Sequence, residues 1–162
     1  MKEITYNRQS VIDYAKKWAF SRNPNYLNFD KLGGDCTNFA SQCILAGCKT
    51  MNYTPITGWY YNSASNRTAS WTGVEYLYKF LINNNGIGPK GIITTPDNIK
   101  IGDIIQLGNA NNHFYHSPVV VKITQSDILV SAHTFDAYMR KLSSYSYDSI
   151  RFIHILDTIK SY

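Results

Sequence analysis

The sequence predicts a single α+β domain in which N-terminal helices pack on a C-terminal antiparallel β-sheet. The chain has 162 residues, the size of one ordinary domain, so residues 1–162 are predicted to form one unit. Helical periodicity is confined to the first half, whereas the residues after Gly91 form short runs rich in Val and Ile. Links of hairpin length join these runs, which favours antiparallel pairing.

Three segments of the first half have the apolar spacing of helices, namely residues 9–20, 36–46 and 71–82. The second is predicted to end at Gly47 and the third at the Asn-rich residues 83–86. Strands are predicted over residues 103–107, 117–123, 127–133 and 150–155. Residues 50–69 are polar, aromatic and irregular, which predicts a loop.

Composition excludes several classes of function. Lys and Arg number 16 against 11 Asp and Glu, a net charge of +5, but no run of four basic residues indicates a nucleic-acid site. No apolar run reaches the ~20 residues of a membrane-spanning helix. The four His and three Cys include no CxxC pair and show no metal-ligand spacing, so no metal is predicted. The N-terminus lacks the apolar core of a signal peptide, which predicts a domain excised from a longer chain or exported by another route.

The stretch from Gly33 to Gln42 (GGDCTNFASQ) is the strongest candidate for chemistry. Two glycines allow a sharp turn, after which Cys36 falls in the first turn of a helix. The helix dipole favours thiolate over thiol there, and free backbone N–H groups can donate to an oxyanion. Cys36 is therefore predicted to be a nucleophile, whereas Cys43 and Cys48 are interpreted as packing residues.

A thiol nucleophile needs an imidazole, and His116 is the predicted general base because it opens the most strand-like segment of the chain. His113 lies in a loop-like context and is interpreted as a surface residue. His154 lies in the last predicted strand, whose side chains alternate between the two faces, and it is interpreted as a structural residue.

His133 is predicted to orient His116. If a turn over residues 124–127 joins two antiparallel strands, paired residue numbers sum to 251 and His133 lies opposite Pro118. His133 then shares a face with His116 as its diagonal neighbour. A shift of one residue in register would move it to the other face, and Asp136 is the alternative third member.

Aromatic residues make up 14% of the chain, and several lie in polar surroundings. Trp59 is therefore predicted to line a substrate groove formed by residues 50–69. An alternative function follows from the same pattern: a non-catalytic module that binds cell wall or carbohydrate through Trp59, Tyr60, Tyr61 and Trp71.

The sequence contains three features in order: the Gly-Asp-Cys-Thr-Asn-Phe-Ala-Ser-Gln motif, the later Gly-Asp-Ile-Ile-Gln-Leu segment at 102–107, and a His before a Val-rich strand. Together they resemble the putative amidase domain family. The resemblance covers residues 8–157. It places the chain in the NlpC/P60 and CHAP superfamily of papain-like cysteine hydrolases. It also implies a papain-like fold with the nucleophile at a helix start, and a Cys36–His116–His133 triad.

The resemblance implies hydrolysis of amide bonds in bacterial peptidoglycan by a monomer, without a cofactor, outside the cell or at the wall. The bond is either N-acetylmuramoyl–L-alanine or a peptide bond of the stem or cross-bridge. Asp35 corresponds to the residue that binds a free amino group of the stem peptide in several relatives. The chain departs from the common NlpC/P60 pattern at two places: Thr37-Asn38 replaces Ser-Gly, and Ser117-Pro118-Val119 replaces Val-Gly-Ile. An acyl or peptidyl transferase using the same dyad is a further alternative.

Overall fold

The helices of the first half form largely where the sequence predicts them in a computed structural model that describes residues 1–162. They are α1 (Arg8–Trp18), α2 (Cys36–Cys48), α3 (Ala69–Thr72) and α4 (Val74–Asn83). The predicted third helix is divided because Gly73 takes an extended conformation, with φ −111° and ψ 129°. None of these helices has the length and apolarity needed to cross a membrane.

Helix α2 continues past its predicted end. It terminates at Lys49, which adopts a left-handed conformation with φ 61°. Gly47 stays helical, and a Cβ there would lie 2.6 Å from the Tyr6 ring. The glycine is therefore explained by close packing against Tyr6 and not by a helix stop.

The second half forms an antiparallel sheet of seven strands, which confirms the α+β class. Its strands are β4 (Gly91–Thr94), β5 (Ile104–Gly108), β6 (Phe114–His116), β7 (Val119–Ile123), β8 (Ile128–Ala132), β9 (Ala137–Lys141) and β10 (Ser149–Ile155). Their order is β4-β10-β5-β7-β8-β9, and β6 pairs with β5. Two further pairs lie outside it: β1 (Lys2–Thr5) with β11 (Thr158–Ser161), and β2 (Tyr61–Ser63) with β3 (Asn66–Arg67).

The sheet separates two hydrophobic clusters, because neighbouring residues of a strand point to opposite faces. On one face, Ile104 and Ile153 join a cluster of 21 buried residues that includes the inner faces of α1, α2 and α4. On the other, Ile105 and Val120 belong to a smaller cluster of six. The helices thus pack on one face of the sheet, as predicted.

Asp103, in the Gly-Asp segment of the sequence, ties α1 to the sheet. Its fully buried carboxylate accepts hydrogen bonds from Arg8 Nη1 at 2.8 Å and His154 Nδ1 at 2.8 Å, and from the backbone N–H of Ile155 at 2.9 Å. His154 therefore has a structural partner, as the sequence predicts. A buried carboxylate with this many donors is compensated for its lost hydration.

Candidate active site

The glycine turn places Cys36 at the first position of α2. Gly33 and Gly34 have φ values of +96° and +102°, which side chains other than glycine rarely adopt. The backbone N–H of Asp35 donates to Thr134 Oγ1 at 3.0 Å, so the turn is fixed to the segment that follows β8. Asp35 occupies the N-cap position, but its side chain does not cap α2. The first N–H groups of the helix therefore have no side-chain acceptor and can donate to a developing negative charge.

Cys36 and His116 line the same cavity, which has a volume of about 450 Å³. Its wall also includes the glycine turn, Tyr115, Thr134, Phe135, Arg140 and Tyr145. The Cys36 Sγ lies 3.8 Å from the carbonyl oxygen of Tyr115, the residue before His116. The nucleophile and the base predicted from sequence are thus brought together, although 79 residues separate Cys36 from Tyr115.

Burial affects the state of the Cys36 thiol. Burial raises the pKa of Cys36, although the backbone N–H groups of Ser117 and Thr37 face the sulfur and act to lower it. The side chain is only 7% exposed, so loss of hydration outweighs the helix start. The burial of Cys36 thus acts against the thiolate that the helix start favours.

The imidazole of His116 has the complementary property. Burial, and after it the positive charge of Arg140, lower the pKa of His116 to about 4. Its ring forms no hydrogen bond within the protein and packs with its centroid 5.7 Å from that of Tyr145. His116 is thus neutral near pH 7, and the one ring nitrogen that carries no hydrogen can accept a proton.

His133 does not orient His116, which corrects the prediction. The numbers of paired residues in β7 and β8 sum to 251 near the turn, where Lys122 lies opposite Leu129. Beyond Val121 they sum to 250, where Val119 lies opposite Ser131. The irregularity between Val120 and Lys122 shifts the register by one residue, which moves His133 to the other face of the sheet. No periodicity in the sequence marks this position.

The structure instead pairs His133 with Asp35 behind the nucleophile. Nδ1 lies 2.5 Å from Asp35 Oδ2, Nε2 lies 2.7 Å from the carbonyl oxygen of Trp18, and the ring stacks on Phe39 at 4.0 Å. A carbonyl only accepts, so Nε2 donates to Trp18, while Nδ1 faces the carboxylate of Asp35. Both nitrogens are occupied, so this histidine has no free position for proton transfer.

Asp35 was predicted to bind substrate, but its carboxylate is buried and engaged. Oδ1 accepts from the N–H of Phe29 at 2.8 Å and from Asn38 Nδ2 at 2.9 Å. Burial raises the pKa of Asp35, but the hydrogen bonds from His133, Asn38 and Phe29 outweigh it and leave that pKa lowered. Asp35 is therefore a support for the nucleophile turn.

The alternative third member, Asp136, is also elsewhere. Its carboxylate pairs with the Arg22 guanidinium at 2.8 and 3.0 Å. Neither residue proposed to orient His116 is placed to do so, and the ring of Tyr145 is its aromatic neighbour.

Trp59 lies in the core and not in a groove, so its predicted placement is wrong. It is fully buried, its Nε1 donates to Ser41 Oγ at 3.0 Å, and its ring packs against Trp71 and Phe80. Trp71 is equally buried, and its Nε1 donates to Asn38 Oδ1 at 3.0 Å. Three of the four aromatic residues on which the binding-module alternative depends, Trp59, Tyr61 and Trp71, are therefore buried.

A buried hydrogen bond connects the two catalytic candidates through their sequence neighbours. Thr37 Oγ1 lies 3.1 Å from Ser117 Oγ, and both side chains are fully buried. Ser117 Oγ also accepts from Gln106 Nε2 at 3.1 Å. Gln106 Oε1 in turn accepts from Arg151 at 2.6 Å. These two hydroxyl residues are among the departures from the common NlpC/P60 pattern, and here they are partners.

Sequence reasoning missed Ser117, Arg140 and Tyr145 as parts of the site. Arg140 lies on β9, a strand without a marked hydrophobic alternation, and Tyr145 follows a short 3₁₀ turn over Leu142–Ser144. The sequence marks only Thr37 and Ser117 locally, because both depart from the common NlpC/P60 pattern. No group of three or more His, Cys, Asp or Glu side chains is placed to hold a metal ion.

Fold and site together define an α+β protein with a thiol and a neutral imidazole in one cavity. The sequence profile of the family described as "Putative amidase domain" matches residues 5–156, and the chain belongs to this family. It is 34% identical to the uncharacterized protein YhbB of Bacillus subtilis (strain 168), over 96% of this chain and 52% of that protein. It is 28% identical to the uncharacterized protein YjcM of the same organism, over 80% of this chain and 31% of that protein.

The chain thus spans about half or less of the length of these curated relatives. No solved structure gives a significant match.

Proposed function

We propose that this domain is a cysteine-dependent hydrolase of amide bonds in bacterial peptidoglycan, of the papain-like NlpC/P60 and CHAP type. The observation that carries the proposal is the shared cavity, in which Cys36 opens α2 and His116 ends β6. Membership of the putative amidase domain family supports an amide as the bond broken. A net charge of +5 suits the anionic polymers of a cell wall, where we place the protein, acting as a monomer.

The proposed reaction starts from the neutral pair. His116 accepts the proton of the Cys36 thiol while Sγ attacks the amide carbonyl, so no thiolate need be present at rest. The N–H groups at the start of α2, which Asp35 leaves uncapped, donate to the oxyanion.

The His116 imidazolium then protonates the departing amine, and the C–N bond breaks to leave a thioester on Cys36. Neutral His116 next takes a proton from water, whose hydroxide attacks the thioester, and the carboxylic acid leaves as the thiol is re-formed. Each proton taken is returned within the cycle, and no cofactor is needed.

Removal of the nucleophile tests the proposal. Cys36→Ala should reduce the clearing of a suspension of purified walls to below about 1% of the wild-type rate, because nothing replaces the sulfur. Cys48→Ser is the matched control: Cys48 Sγ donates to the carbonyl of Thr50 at 3.3 Å, and a serine hydroxyl can do the same. Wall clearing by Cys36→Ala at the rate of the control would contradict the proposal.

Mass spectrometry of the digested walls identifies the bond. Release of intact stem peptides from muramic acid shows an amidase, and shortened or separated peptides show an endopeptidase. Products that carry an added amine in place of water would show a transferase.

A further inference from the structure

The cavity contains a positive charge that no acidic group of the protein compensates. Arg140 lines it together with Cys36 and His116. Three other arginines form ion pairs with carboxylates, namely Arg8, Arg22 and Arg151. Arg140 forms none: its Nε donates to Ser144 Oγ at 2.9 Å and its Nη2 to the Ser144 carbonyl at 3.2 Å, both neutral acceptors.

The guanidinium is also held in a fixed orientation. Its Cζ lies 3.6 Å from the centroid of the Tyr145 ring, the same ring that packs beside His116. With Nε and one Nη2 proton bonded to Ser144, the edge formed by Nη1 and the second Nη2 proton has no acceptor in the protein. Two parallel N–H groups of this kind match the two oxygens of a carboxylate.

This charge opposes the proposed reaction. The proposed reaction converts His116 to an imidazolium in a cavity that already holds a guanidinium. Besides burial, Arg140 lowers the pKa of His116. An anion bound to Arg140 would cancel that repulsion and make His116 a stronger base.

Resting on the proposed function, we infer that the substrate carries a carboxylate beside the scissile amide, and that Arg140 binds this carboxylate end-on through Nη1 and Nη2. Arg140 thereby selects acidic peptides, and their binding completes the charge balance that His116 needs. The other titratable groups that line this cavity are the Cys36 thiol and the phenols of Tyr115 and Tyr145, and no Asp or Glu lines it. The substrate is thus the source of the negative charge.

A titration tests the carboxylate site without turnover. The pKa of His116 is measured by NMR in the inactive Cys36→Ala protein, and the His116 signal is assigned by its loss in His116→Gln. The measurement is made with N-acetyl-alanine, which carries a carboxylate, and with the neutral N-acetyl-alaninamide. N-acetyl-alanine should raise the pKa of His116 by about one unit, a tenfold change in proton affinity, and the amide should not. With Arg140→Gln added, the starting pKa should be higher and neither probe should move it. Arg140→Lys, which keeps the charge but not the paired N–H groups, should keep the low starting value.

Kinetics give the second readout. The wild-type protein should prefer a muropeptide with a free carboxylate beside the cleaved amide over its amidated form by about 10- to 100-fold in kcat/KM. Arg140→Gln should abolish this preference. Lys141→Gln, which removes a charge from the adjacent exposed position of β9, should retain it.

Equal effects of both probes, or an effect that persists in Arg140→Gln, would overturn the inference while Cys36-dependent cleavage still stood. If the titration behaves as expected but wild-type protein cleaves no wall, the carboxylate site stands and the proposed function fails.

Discussion

Two buried or half-buried histidines lie on either side of the nucleophile turn, and they differ in what their ring nitrogens contact. His133 has both nitrogens engaged, by Asp35 and the Trp18 carbonyl, and its ring is stacked on Phe39. His116 faces the cavity with neither nitrogen bonded. A ring with two fixed partners holds structure, whereas a ring with free nitrogens and a pKa of about 4 can accept a proton. Removing each should therefore affect different measurements.

The largest effect is expected from His116→Gln. Loss of the general base should reduce kcat by about 10²- to 10⁴-fold, while the free energy of unfolding changes by less than about 0.5 kcal/mol because the ring has no bonded partner. Steady-state kinetics and urea denaturation measure the two quantities. His113→Gln, on the exposed loop before β6, is the control and should alter neither. A variant at His116 that unfolds readily would remove the distinction between the two histidines.

On the other side of the turn, Asp35→Asn should act through stability. It removes the carboxylate that accepts from the buried Nδ1 of His133, and the loss of such a buried acceptor costs about 1–3 kcal/mol. Asp30→Asn, which removes an outer carboxylate of Arg22, should cost about 0–1 kcal/mol in the same urea titration.

The lowered pKa of Asp35 also fixes the direction of its pH dependence. The stabilisation is complete above the pKa of Asp35 in the unfolded chain and is lost as pH falls through its lower pKa in the folded protein. Asp35→Asn should therefore lose the least stability, relative to wild type, at acid pH. A difference that stays constant from pH 7 to pH 2 would contradict the lowered pKa of Asp35.

The hydrogen bond between Thr37 and Ser117 connects the helix that begins at Cys36 to the residue that follows His116. Ser117→Ala should lower kcat by about 10-fold and stability by about 1–2 kcal/mol, because it breaks the contact that fixes the nucleophile helix against the strand of the base. If the hydroxyls act as a pair, Thr37→Val should add little to Ser117→Ala in a double-mutant cycle. Fully additive losses in kcat would show that the two residues act independently.

The smallest effect is expected at the cavity mouth. Phe135 is 86% exposed, and with Thr134 it adopts a left-handed backbone, φ 59° and 56°. An aromatic held out at a cavity edge suits contact with substrate, so Phe135→Ser should raise KM about 3- to 10-fold with kcat unchanged. Phe20→Ser, at another exposed aromatic, should leave KM as it is. An unchanged KM for Phe135→Ser would exclude this residue from substrate contact.

The parts of the site that local rules determine were predictable. The glycine turn and the helix that begins at Cys36 depend on neighbouring residues only. His116 was predicted to open the Val-rich strand, but it ends the separate strand β6, because its pairing with β5 is a long-range contact. The placement of His133 depended on a strand register, and one irregularity near Val121 changed the face on which it lies. Trp59 and Asp35 looked available because their partners, Ser41 and His133, come from distant segments. Burial likewise reversed the expected pKa of Cys36, since it depends on everything packed around the sulfur.

The pairing of β1 with β11 has a consequence for how the fold can be rearranged. Lys2 lies opposite Ser161 and Thr5 opposite Thr158, so the two outermost strands of the chain are neighbours in space. A short flexible linker between them would close the backbone into a ring, which could then be cut at an exposed turn such as residues 109–113 or 124–127. None of the residues that line the cavity belongs to β1 or β11. Circular permutation therefore offers a way to move the chain termini around this domain while the cavity keeps its walls.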